Sequence, residues 1–110
     1  MVHLMKLQSN PFEKIKNGTK TIEIRLNDEK RQILSVGDNI EFSLFDNPEQ
    51  KILTEIIGLQ KFKSFKELCY AFDPKSYGSE NKEEYELMYK YYAKEDEEKY
   101  GVLAIQITKL

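Results

Sequence analysis

The stretch NPFEKIKNGTKTIEIRLND, residues 10–28, contains the signals for a helix, a stop and a strand in direct succession. Asn10 is a favourable N-cap, and Pro11 suits the first helical position because its missing N–H needs no partner there. A helix of about two turns follows, and Gly18 ends it because glycine readily adopts the left-handed conformation after a helix. The stretch therefore predicts a short helix that leads directly into a strand.

Residues 21–26 alternate between polar and apolar side chains, which predicts a half-buried strand. Its polar face carries Glu23 and Arg25, and Lys20 precedes it directly after the glycine. One interpretation is the polar face of an ordinary strand, where an exposed ion pair contributes only ~0–1 kcal/mol. The other is a ligand site. An arginine fork binds phosphate or carboxylate, and a lysine supplies a point charge or, when desolvated, a nucleophile or base.

Three further strands are predicted along the chain. Apolar residues alternate in 39–45, and Asn47-Pro48 is expected to break that strand. A long strand follows at 51–64, where the interior Gly58 predicts a bulge or bend. The closing run at 101–110 is apolar and β-branched, which is typical of a buried sheet strand.

Helical spacing appears in two later segments. Ser64 begins a capping-box pattern, and the helix that it starts is predicted to reach Phe72. A second helix is predicted to start near Asn81. Its apolar stripe favours core packing over a stacking platform and consists of Tyr85, Met88, Tyr89 and Tyr92. The acidic run at 95–98 is expected to be a solvated loop rather than a metal site.

The predicted fold is a small α+β domain. About five strands, counting the loosely alternating residues 2–8, enclose one core, with short helices on the connections. With 110 residues, 40% of them hydrophobic, the chain is expected to form the single domain 1–110. No apolar run approaches the ~18 residues of a membrane span. The start of the chain lacks a signal-peptide pattern and there is one cysteine, so we expect a cytoplasmic protein without a membrane partner.

The charge is unevenly distributed along the chain. The formal net charge is −2, which argues against a strong, global nucleic-acid binder. Residues 6–31 nevertheless contain seven basic and four acidic side chains, whereas 79–99 contain four basic and eight acidic ones. Such asymmetry permits one basic surface on an acidic protein, although charged runs are commonly solvated faces. The acidic segment also leaves open a domain that binds a basic protein partner, a hypothesis that only charge supports.

Several segments resemble the ASCH domain in the order in which that family has them. GTKTIEIR at 18–25 fits the family signature G-x-K-x-x-E-x-R, and PFEKIKNG resembles the helix that precedes it. Gly37-Asp38, followed by Ile40 and Phe42, is similar to the family's turn and strand. Tyr91-Tyr92 and the run at 101–105 resemble its closing segment. Nearly the whole chain is covered, so it is identified as a single ASCH domain.

The resemblance implies a PUA-like β-barrel with a cleft beside the signature strand, and RNA or nucleotide-like ligands. It makes Lys20, Glu23 and Arg25 the first candidates for ligand binding. Asp38 is a weaker candidate, because it could simply close its turn. Tyr91 lies off the apolar stripe of its helix and could stack on a base, an interaction worth ~1–3 kcal/mol.

A second hypothesis is a metal-independent amidohydrolase. One branch similar in fold to ASCH domains removes the acetyl group of N4-acetylcytidine with a lysine, a threonine and a glutamate. Lys20 matches the lysine, while Glu23 stands at the threonine position. Lys20 would attack or activate water, with Glu23 as its proton partner. His3 and Cys69 are too isolated for a zinc site, so no metal or cofactor is predicted. Whether the protein is an enzyme stays open.

Overall fold

A five-stranded mixed sheet forms the body of the protein, whose computed structural model describes residues 1–110. The strand order is β1-β3-β4-β5-β2; β1 and β3 are parallel, and the other neighbours are antiparallel. The sheet curls into a half-barrel, and β1 and β2 are its edges. The strands are β1 (Val2–Leu7), β2 (Ile22–Leu26), β3 (Asn39–Leu44), β4 (Asn47–Phe62) and β5 (Val102–Lys109). The predicted α+β class and five-stranded, barrel-like sheet are confirmed.

Short helices occupy the connections, as predicted. They are α1 (Ser9–Lys16), α2 (Glu29–Gln32), α3 (Phe65–Ala71) and α4 (Lys94–Tyr100), with 3-10 helices at Pro74–Tyr77 and Lys82–Lys90. None of them combines the length and hydropathy that a membrane span would need.

Helix α1 begins earlier than the sequence predicts. Gln8 is the N-cap residue, and its carbonyl accepts a hydrogen bond from the backbone N–H of Phe12 at 3.1 Å. The prediction that Asn10 caps this helix is therefore wrong. Pro11 is the third helical residue, still within the first turn, where a missing N–H costs no intrahelical hydrogen bond. Gly18 ends the helix at φ 84°, as predicted.

Strands β3 and β4 form a hairpin, and β4 has two irregularities, one against β3 and one against β5. The register moves from Ser43 opposite Lys51 to Leu44 opposite Asn47, so Pro48 lies in a bulge. A proline in a bulge does not have to donate a ladder hydrogen bond, so Asn47 and Pro48 belong to β4. The prediction that they interrupt the strand is wrong. The bulge predicted at Gly58 is confirmed by a second register shift, against β5.

The acidic run 95–98 is helical, so the prediction of a solvated loop there is wrong. It belongs to α4, whose first turn is acidic, as the helix dipole favours. Glu97 is buried, and its Oε2 accepts a 2.7 Å hydrogen bond from the backbone N–H of Phe65 and one from the Tyr89 hydroxyl at 3.0 Å. The carboxylate thereby fixes the start of α3 against α4. The segment near Asn81 does begin a helix, but a 3-10 helix.

Both faces of the sheet are covered, and this determines where the signature strand points. Leu103 and Ile105 of β5 belong to a 12-residue core that fills the half-barrel. Val102 and Ala104 belong to a 9-residue core under the later helices. On β2, Ile24 is paired with Ala104, whereas Glu23 and Arg25 are paired with Ile105 and Leu103. Directly opposite residues share a face, so the charged side of β2 faces the interior of the half-barrel. The strand is buried on both faces, not half-buried as predicted.

Candidate functional site

The site lies at the gap between the edge strands β1 and β2. Nη2 of Arg25 on β2 donates a 3.3 Å hydrogen bond to the backbone carbonyl of Lys6 on β1, across the gap. A cleft of about 640 Å³ opens beside this bridge. Volumes of this size are typical of small-molecule and cofactor sites.

Three charged side chains meet in the cleft. Nζ of Lys20 lies 2.8 Å from Oε1 of Glu23, and Nε of Arg25 lies 2.7 Å from Oε2 of the same carboxylate. The exposed fraction of the side chain is 9% for Lys20, 5% for Glu23 and 17% for Arg25. The sequence interpretation of an ordinary exposed ion pair is therefore not the arrangement found. We call these three residues the charged triad.

The triad carries a net positive formal charge, because two basic side chains contact one carboxylate. Burial alone would raise the pKa of Glu23, but the charges and hydrogen bonds of Lys20 and Arg25 outweigh it and lower the pKa. Burial would lower the pKa of Arg25, and Glu23 more than compensates, so that pKa is raised. Two cations thus face one carboxylate whose oxygens both have partners. An incoming anion would meet an unbalanced positive charge.

The glycine turn that follows the first 3-10 helix covers Lys20. Gly78 has φ 88°, and a Cβ at this position would approach Cδ of Lys20 to 3.2 Å. Nζ of Lys14 donates to the carbonyl of Gly78 at 2.9 Å, so α1 is attached to the same turn. The close approach explains how a lysine that leaves a helix at a glycine stop is directed into the cleft rather than into solvent.

The opposite wall comes from the second 3-10 helix and the residues after it. Tyr91 lines the cleft and is 73% exposed. Tyr92 also lines it, but its ring is stacked on Phe65 with centroids 5.4 Å apart. Of these two tyrosines, Tyr91 is the more exposed, and its ring surface is the more accessible to a ligand. The other residues of this wall are Glu84, Leu87, Met88 and Lys90. Sequence reasoning placed Met88 in the apolar stripe and did not single out the other three.

Asp38 is outside the cleft. Its Oδ2 lies 2.9 Å from Nε2 of His3 and accepts a 3.2 Å hydrogen bond from the backbone N–H of Ser35. The hydrogen bond with His3 is the main cause of a lowered Asp38 pKa. Of the five predicted site residues, the structure brings Lys20, Glu23, Arg25 and Tyr91 together. Asp38 closes its own turn through Ser35 and joins that turn to β1 through His3.

Sequence reasoning missed the residues that reach the cleft from other elements. Lys6 of β1, Phe45 of the β3–β4 turn and Gly78 all line it. Only Gly78 had a local signal, because it lies in a loop rich in turn residues. The described chain has no group of three or more His, Cys, Asp or Glu side chains suited to a metal ion. The available chemistry is that of cations, the carboxylates of Glu23 and Glu84, and aromatic surface.

The five-stranded half-barrel with short helices on its connections is consistent with a PUA-like fold. The family model for the ASCH domain matches residues 5–110, so the chain belongs to the ASCH domain family.

Solved structures agree with this assignment. Hypothetical protein PH0355 is 34% identical, with a TM-score of 0.88 and 100% of each chain covered. Protein PF0455 from Pyrococcus furiosus is 32% identical, with a TM-score of 0.77 and coverage of 100% of this chain and 98% of that one. The ZmASCH S128A mutant protein from Zymomonas mobilis shares the fold at 13% identity, with a TM-score of 0.71 over 97% of this chain and 67% of that one. No curated protein matches the sequence.

Proposed function

We propose that the cleft binds RNA or a nucleotide-like ligand. The observation that carries this proposal is the buried, net positive triad at the base of an open cleft whose rim holds an exposed tyrosine ring. The PUA-like fold is consistent with such a ligand. The partner that we infer is a nucleic acid or a nucleotide rather than a protein.

Each part of the ligand has a counterpart in the cleft. The guanidinium of Arg25 uses Nε for Glu23 and Nη2 for the Lys6 carbonyl, which leaves its other donors for a phosphate oxygen. Lys20 adds a second cation, and Glu23 could accept a hydrogen bond from a base amino group if the ligand displaced one partner. Tyr91 offers the stacking surface.

The test is the affinity for short single-stranded RNA at two salt concentrations. Phosphate contacts require the affinity to fall as salt rises. Tyr91→Ala should weaken binding by about 5- to 150-fold, which corresponds to the ~1–3 kcal/mol of one stacked base. Tyr70→Ala is the matched control, because Tyr70 is a partly exposed tyrosine outside the cleft. Salt-independent binding, or equal affinities of the two variants, would refute the proposal.

A second candidate function is the hydrolysis of a modified nucleoside such as N4-acetylcytidine. The observation that favours it is the direct contact between Lys20 and Glu23 inside the cleft, at 2.8 Å. Such a pair can pass a proton once a substrate separates it. Incubation with N4-acetylcytidine should then release cytidine, and Lys20→Met should abolish the release. Turnover no faster than that of the variant would eliminate this candidate.

A further inference from the structure

A second concavity adjoins the cleft on the far side of Arg25. It lies between β1 and α2 and has a volume of about 430 Å³. Its lining contains four basic side chains and no acidic one. We call it the basic hollow, defined by Lys6, Arg25, Lys30 and Arg31.

The positive charge of the basic hollow is only partly compensated within the protein, through the more distant carboxylates of Asp28 and Glu23. Lys6, Lys30 and Arg31 take part in none of the ion pairs of the structure, and Arg25 shares Glu23 with Lys20. Burial, followed by the charge of Arg25, lowers the pKa of Arg31, so the two guanidinium groups repel each other. Two further titratable groups in this region, Asp28 and His3, already have hydrogen-bond partners.

The hydrogen bonds of Asp28 and His3 are made within the protein and not with the cationic groups of the hollow. Oδ1 of Asp28 accepts a 3.3 Å hydrogen bond from the backbone N–H of Arg31, so this carboxylate caps α2 instead of pairing with the guanidinium. His3 lines the hollow, but its Nε2 is hydrogen-bonded to Asp38. An anion in the hollow would therefore supply the directly contacting counter-charge that Lys6, Lys30 and Arg31 lack.

The basic hollow and the cleft are adjacent parts of one surface. Lys6 and Arg25 line both, and the hydrogen bond between them separates the two concavities. Together the two linings contain six basic side chains against the carboxylates of Glu23 and Glu84, on a protein of net charge −2. A ligand with one negative charge in the cleft and further negative charges in the basic hollow would contact this whole surface.

We propose that the basic hollow binds backbone phosphate of the same single strand whose nucleotide enters the cleft, so that the ligand is an oligonucleotide and not a free nucleoside or mononucleotide. This inference rests on the proposed function. A single strand fits both parts, because its unpaired bases can turn into a cleft while the backbone continues across a charged surface.

The experiment compares two ligands and two double variants of the full chain. The ligands are a hexauridylate and uridine monophosphate. Lys30→Ala with Arg31→Ala removes the two cations that belong to the hollow alone. Lys61→Ala with Lys63→Ala removes the same charge from exposed positions of β4 and the residue after it, outside both concavities. Dissociation constants are measured by titration calorimetry over a series of salt concentrations.

For hexauridylate, the slope of log association constant against log salt concentration should be smaller in magnitude by about 1.4 in the hollow variant. Each phosphate contact on a single strand contributes ~0.7 to this slope, and the variant removes two cations. Its affinity for uridine monophosphate should change less than twofold, and the control variant should match the wild type with both ligands. If the hollow variant equals the control, or loses both ligands to the same degree, the phosphate assignment is overturned while the cleft proposal stands.

Two further outcomes separate the proposals. If the wild type binds neither ligand, the proposed function itself fails. A hexaglutamate peptide provides the protein arm of the test. Should it compete with hexauridylate at equal concentration, and lose this ability in the hollow variant, the hollow binds acidic protein segments and the nucleic-acid assignment is wrong.

Discussion

Replacing Glu23 with glutamine should destabilise the protein severely, although the side chain keeps its size. The carboxylate is the only counter-charge that contacts Lys20 and Arg25, and all three side chains are largely buried. An amide oxygen can still accept from one cation, but the amide nitrogen then points a donor at the other. Removing one partner from a buried ionic network costs about 3–5 kcal/mol. Domains of this size have a total stability of roughly 5–15 kcal/mol.

Urea denaturation of the wild type and Glu23→Gln over a pH series measures this cost. Because the folded-state pKa of Glu23 is lowered, its stabilisation is complete above the unfolded-state value of ~4.3. It is lost as the pH falls through the lower folded-state pKa. The difference in unfolding free energy between the two proteins should therefore be constant near neutrality and shrink in acid.

Glu41→Gln is the matched control, because it removes the same charge from a partly exposed pair with Lys51 at 3.8 Å. Its cost should stay below about 1 kcal/mol. The reasoning is refuted if Glu23→Gln costs no more than this control, or if its cost does not decline in acid.

Two further substitutions test how the chain around the site is held. Gly101→Ala should cost about 2 kcal/mol or more in urea denaturation, because φ is 72° there and a Cβ would lie 2.9 Å from the Phe62 carbonyl oxygen; a cost below about 0.5 kcal/mol, the range of an ordinary surface substitution, would contradict this. Burial and Glu97 together raise the pKa of Tyr89 to about 12, so Glu97→Gln should lower that pKa in a tyrosine-resolved NMR titration; an unchanged value would contradict the contact.

The sequence predicts those elements whose signal is local. The alternation of Ile40 and Phe42 in β3, and the apolar run of β5, reflect burial that each strand shows along its own length. Helix α4 has no such pattern, since Glu97 is buried only because it accepts the N–H of Phe65, 32 residues earlier. The local sequence pattern also does not predict burial on the charged face of β2, because that burial depends on which residues the half-barrel places opposite Glu23.

The same distinction explains which site residues could be predicted. Lys20, Glu23 and Arg25 lie within one short segment, so their spacing and the family signature were sufficient. Lys6 reaches Arg25 only because β1 pairs with β3 and becomes the edge that faces β2. Arg31 lies in a one-turn helix within a stretch that looks like an ordinary polar connection. The sheet topology brings these cations together, and no local sequence pattern predicts that they are close.

The open seam of the half-barrel gives Arg25 two roles that one substitution cannot separate. Its Nη2 hydrogen bond to the Lys6 carbonyl joins two edge strands that share no ladder, while its Nε holds Glu23. Replacing Arg25 would therefore loosen the seam and leave Glu23 with one partner, so lost binding would follow even if no ligand ever touched the guanidinium. Tyr91 is exposed and Lys30 forms no ion pair, so neither is tied into the seam in this way. Affinity changes at those positions report on the ligand itself, which is why the binding experiments depend on them rather than on the signature arginine.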